Sequence, residues 1–77
     1  MNRSELLSQL INRGFQAYNL QSALHDFIDK EIAVQENSEP KIFAWLNNQG
    51  TEIKANIQIN YQYDEITDTT TFDYQLQ

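Results

Sequence analysis

The stretch Ile53-Lys54-Ala55-Asn56-Ile57-Gln58-Ile59-Asn60-Tyr61-Gln62-Tyr63 decides the fold. Its odd positions are all apolar or aromatic and its even positions all polar. That unbroken period of two belongs to a strand with one dry face and one wet face. A helix would scatter the same side chains around its whole circumference. Ile and Tyr dominate the dry set, and both suit a pleated, half-buried surface. The stretch reads as the central strand of a small antiparallel sheet.

Its neighbours follow from turn chemistry. Lys41 to Asn47 fits either a short helix, capped by Ser38 and stopped by Gly50, or a strand. The cluster of Ile42, Phe43 and Trp45 beside an extended segment selects the strand. Asn48-Gln49-Gly50 is then a three-residue hairpin loop with Gly50 in the left-handed slot. That loop sets Trp45 opposite Ile53 and Phe43 opposite Ala55. A slip of one residue would turn both rings outward. On the other side, Thr70 to Leu76 alternates again. A tight connection near Thr67-Asp68 predicts Tyr63 opposite Phe72, Tyr61 opposite Tyr74 and Ile59 opposite Leu76. With no Gly at the tip, Asp64 to Thr69 can also form a looser loop.

Two helices precede the sheet. Ser4 reads as the N-cap of a helix running to Arg13, with Glu5 and Arg13 suiting the dipole. Leu6, Leu7, Leu10 and Ile11 form its apolar stripe. Gly14 marks a left-handed stop, with Phe15 placed to fold back on Leu10. Asn19 reads as the N-cap of a second helix, whose stripe is Leu20, Ala23, Leu24, Phe27, Ile28 and Ile32. This helix is expected to fray near Gln35. Asn37-Ser38-Glu39-Pro40 reads as a turn, because Pro40 blocks helix continuation. The expected architecture is one α+β domain over residues 1–77. Two N-terminal helices pack on one face of a three-stranded antiparallel β-meander.

Composition excludes several functions. The chain has 77 residues, no cysteine and a net charge of −6. Thiol chemistry and disulfides are therefore absent, which suits a cytoplasmic setting. The longest apolar run, Ile42 to Leu46, is far too short to span a bilayer. The N-terminus lacks the apolar core of a signal peptide, so no membrane partner is expected. Residues 55–77 hold Asp64, Glu65, Asp68 and Asp73 and no base. Such a field repels phosphate backbones, so direct nucleic-acid binding, including a winged-helix mode, is not expected.

No catalytic constellation assembles from these residues. His25 is the only histidine, with Asp29 one helical turn on. A base and its orienting partner, or half a metal site, would need further groups that the chain lacks. The carboxylates are not spaced as an EF-hand, so no metal or other cofactor is expected. Paired acids at the hairpin tip suit turns and solubility. The tyrosines in phase with the dry face read mainly as core, with their hydroxyls at the rim.

Two surfaces remain. The acids Asp26, Asp29, Glu31 and Glu36 on the second helix, with Asp64, Glu65, Asp68 and Asp73 on the hairpin, form the expected face for a basic protein partner. The implied function is a small non-enzymatic interaction module. One form of it is an inhibitor or nucleic-acid mimic of the kind phages and mobile elements direct against host defences. The last strand, through Thr70, Phe72, Tyr74 and Leu76, is an edge guarded only by Asp73. It is the expected site of homodimer formation or strand addition. A third reading is an accessory domain binding a small ligand through Tyr18, Trp45 and Tyr61.

Overall fold

A computed structural model describes residues 1–34 and 39–77. The expected fraying near Gln35, the Asn37-Ser38 part of the turn, and Glu36 lie outside the described residues. Helix α1 is Arg3–Asn12 and α2 is Leu20–Val34, followed by strands β1 (Lys41–Leu46), β2 (Glu52–Asp64) and β3 (Thr69–Leu76). The strands form one antiparallel sheet in the order β1-β2-β3, giving an α+β fold.

The first helix starts two residues earlier than the Ser4 hydroxyl suggested. The N-cap is Asn2, whose side chain accepts from the Glu5 amide at 2.8 Å, while Glu5 reaches back to the Asn2 amide at 3.3 Å. This reciprocal pairing satisfies two free donors, which a Ser4 cap with Leu7 at the matching position could not do. The stop is as expected. Gly14 has φ +103°, its amide donates to Ile11, and Phe15 donates back to Leu10 at 3.2 Å. That is a Schellman ending, and its apolar contact places Phe15 beside Leu10 in the core. Asn19 does precede α2, but at φ +58°, and it contributes its carbonyl, accepting from Ala23 at 3.1 Å.

The β1–β2 hairpin has the expected register, with Phe43 opposite Ala55 and Trp45 opposite Ile53. Gly50 sits at φ +79° and donates to the Asn47 carbonyl. The Asn47 side chain adds two bonds, accepting from the Gln49 and Thr51 amides at 2.9 Å each. The β2–β3 register differs from expectation by two residues. Tyr61 faces Phe72, Ile59 faces Tyr74, and Ile57 faces Leu76. The connection is the four residues between Asp64 and Thr69, with Asp68 at φ +52°. A two-residue turn would have forced the β-branched Thr67 to positive φ, whereas Asp tolerates it. The change is even, so every side chain keeps its face.

The core lies between the helices and the dry face. Leu6, Leu10, Phe15, Leu20, Leu24 and Ile28 meet Phe43, Ala55, Ile57 and Tyr74. Phe43 is the hub, tilted against Phe15 and edge-on to Phe27. The Trp45 indole N–H is buried, with no hydrogen-bond partner among the described residues. Lengths then shape the molecule. The 15 residues of α2 rise about 22 Å, while the 13 residues of β2 reach about 43 Å. The helical layer therefore ends before the sheet does, and the longest dimension is 47 Å against 21 and 19 Å.

Candidate functional site

The overshoot makes an arm. Burial along the dry face of β2 falls from Ala55 and Ile57, which are buried, through Ile59, half-buried, to Tyr61 and Tyr63. Every residue from Tyr61 to Thr71 is exposed. Tyr61 is 43% exposed, Tyr63 55% and Ile66 95%. Alternation thus continues past the cover that justifies it, leaving an apolar, aromatic face on a two-stranded ribbon. The expectation that the in-phase tyrosines are core holds for Tyr74 alone, which is 4% exposed. Period predicts which way a side chain points. It does not say where the opposing layer stops.

The arm is locally braced. Asp64 accepts from the Ile66 amide at 2.9 Å, starting the turn. The Tyr63 hydroxyl donates to the Asp68 carboxylate, closing the ribbon near its tip. That bond, with slight desolvation, raises the Tyr63 pKa above its ordinary value. At the root of the arm, Ile32, Ile59, Tyr61 and Phe72 meet beside Glu31 in a notch of about 20 Å³. This holds about one water molecule and no drug-sized ligand.

A second cluster ties α1, α2 and β3 together. Arg3 donates from Nε to the Tyr74 hydroxyl at 3.0 Å and from Nη1 to His25 Nδ1 at 2.8 Å. It also reaches Asp29 from Nη2 at 3.4 Å. His25 Nε2 lies 3.0 Å from the other Asp29 oxygen. Arginine can only donate, so Nδ1 must be the acceptor and the neutral ring carries its proton on Nε2. The Tyr74 bond is the main cause of a raised Arg3 pKa, opposed by burial and helped by Asp29. Both imidazole nitrogens are engaged within this cluster. Spacing had paired His25 with Asp29, but nothing in the sequence pointed to Arg3 and Tyr74, 71 residues apart.

The expected acids have different local surroundings. On α2, Asp29 faces Arg3 and His25, Asp26 lines a groove with Phe27 and Trp45, and Glu31 lines the notch under the arm. Asp73 lies 2.6 Å from the Met1 amino group. Four of the eight expected binding acids also make contacts within the chain: Asp29, Asp64, Asp68 and Asp73. The side chains of Asp26, Glu31 and Glu65 make no polar contact among the described residues. Tyr18, Trp45 and Tyr61 do not converge. Trp45 faces Ile53, and Tyr61 lies eight residues further along β2, about 26 Å away.

The β3 edge is partly covered. Tyr74 donates to the Met1 carbonyl at 3.0 Å, and the Met1 amino group donates to the Tyr74 carbonyl at 2.9 Å. No helix among the described residues is long and apolar enough to cross a membrane. No cluster of metal-binding side chains occurs among the described residues. The chain matches no family model, no curated protein and no solved structure.

Proposed function

We propose that the protein is a small, non-enzymatic interaction module that docks through the arm onto a basic protein partner. The carrying observation is the exposed run from Tyr61 to Thr71, where a regular dry face continues without a layer to cover it. Exposed apolar patches rimmed by polar groups commonly mark interaction sites. Tyrosine is favoured in such sites because its ring is large, rigid and amphipathic. The tip adds Asp64, Glu65 and Asp68 with no base nearby in the sequence, which favours a basic rim on the partner.

Bound there, the arm acts by occlusion. An inhibitor of a nucleic-acid-handling protein fits the charge of −6, because such proteins present basic grooves. A cytoplasmic setting fits the lack of cysteine. The test is capture from source and host lysates at low and high salt, followed by mass spectrometry. Retention of a basic partner at low salt and its loss at high salt supports the reading. A complex that is unchanged or tighter at high salt contradicts it.

Self-association through Thr70, Phe72, Tyr74 and Leu76 is the second reading. It draws on the edge position of β3. Against it, two arms would bring together four acids each and no base. Sedimentation at micromolar concentration separates the two readings.

A further inference from the structure

The backbone of β3 has a definite polarity. Gln77 donates its amide inward to Asn56 at 2.9 Å, and Tyr74 donates outward to Met1 at 3.0 Å. Backbone groups alternate along a strand, so the even residues of β3 all point outward. Thr70 and Phe72 therefore direct both N–H and C=O away from the sheet. Neither has a backbone partner on that side among the described residues. The chain itself occupies the neighbouring edge positions. Met1 exchanges two hydrogen bonds with Tyr74, the pattern of an antiparallel hydrogen-bonded pair. On the opposite edge of the sheet, Phe15 bridges Asn47, and Gln16 donates to Leu46 at 2.8 Å. The β3 edge thus already accepts one added residue, and two vacant outward positions follow it toward the tip.

We propose that the Thr70–Phe72 edge takes up an extended segment of a partner chain as an antiparallel strand with alternating apolar and basic residues. The proposal rests on the arm reading and adds its mode and the partner's chemistry. An added strand would make up to four backbone hydrogen bonds, two at each open position. Its apolar side chains would lie on the dry face beside Phe72 and Tyr61, extending a half-covered surface. Its basic side chains would lie on the wet face, toward Asp64 and Glu65. Asp73 is already paired with the Met1 amino group, so the charge attraction is concentrated at the tip. Residues 55–77 hold four acids and no base, which favours a basic strand over a second copy of the same edge.

The probe is a synthetic peptide of alternating lysine and valine, titrated into the ¹⁵N-labelled full chain. In an antiparallel addition the valine amides point at β3 and the lysine amides point away. The expected result is a shift of the Thr70 and Phe72 amide signals. N-methylation of the valine nitrogens should abolish binding, and N-methylation of the lysine nitrogens should leave it intact. Thr70→Pro removes one outward donor without touching the inner ladder. It should weaken the peptide at least about fivefold. Equal binding of the two methylated peptides, loss confined to the lysine-methylated one, or no binding overturns the proposal. A dimer that Thr70→Pro dissociates would assign the edge to a second copy and also overturn it. If natural partner capture still depends on Tyr61 while N-methylation has no effect, strand addition falls and the arm reading stands.

Discussion

Tyr61 lies directly opposite Phe72 across the β2–β3 ladder, and two residues before it on β2 Ile59 faces Tyr74. The two pairs share a face but not an environment. Tyr74 is 4% exposed and Tyr61 43% exposed. Between them the helical layer ends, and the sheet changes from a core wall into an exposed arm.

That boundary predicts a sharp contrast in stability. Tyr61→Ser should cost no more than about 1 kcal/mol, the value of a cross-strand aromatic pair. Ile57→Ala, two pairs further in and fully buried, should cost about 2–5 kcal/mol. Denaturant unfolding of both variants checks this. A Tyr61→Ser penalty equal to that of Ile57→Ala would mean that the arm is packed.

The start and stop of α1 are separable. Asn2→Ala should lose about 1 kcal/mol, whereas Ser4→Ala should be near neutral, because Asn2 holds the capping bonds. Gly14→Ala should lose about 1–2 kcal/mol through the left-handed backbone alone. A methyl group there would meet nothing within 4 Å, so clash is not the cause. Thermal or chemical unfolding measures all three. A Ser4→Ala loss larger than that of Asn2→Ala would refute the cap assignment.

The Arg3 cluster predicts a tautomer. Neutral His25 should carry its proton on Nε2, since Nδ1 accepts from Arg3 at 2.8 Å. Long-range ¹H–¹⁵N spectra of the ring report this directly, and an Nδ1–H form would contradict the geometry. Asp29→Asn should cost less than about 1 kcal/mol, because the pair is well exposed to solvent.

Tyr63 predicts a pH dependence at the tip. Only the protonated phenol can donate to Asp68, so its pKa is raised. The bond is fully present below the usual phenol range and is lost as pH rises through the raised value. Ultraviolet titration should show Asp68→Asn moving one tyrosine to lower pKa. An unchanged profile would remove this brace from the account.

Much of this fold can be read from the residues, and the reasons are local. The period of Ile53 to Tyr63, the Gly14-Phe15 stop and the Asn48-Gln49-Gly50 loop each involve neighbours in sequence. The β1–β2 register follows from that loop alone. The β2–β3 register depends on a tip without glycine, where Asp68 supplies the left-handed residue, and no short motif announces that choice. The arm was hidden for a different reason. The side chains of Tyr61 and Tyr63 repeat the pattern of buried residues, and only the unequal rise of helix and strand exposes them. Charge counts in the same way do not reveal that Asp29, Asp64, Asp68 and Asp73 each also have a partner within the chain.

The most direct measurement is the affinity of the captured partner for wild type and for a Tyr61→Ser/Tyr63→Ser double variant, with folding checked by circular dichroism. Both substitutions lie on exposed arm positions. The account predicts an intact fold with binding weakened at least about thirtyfold, as for loss of a hot spot of ~2 kcal/mol. An intact fold that binds the partner as tightly as wild type would contradict the assignment of the arm as the docking surface.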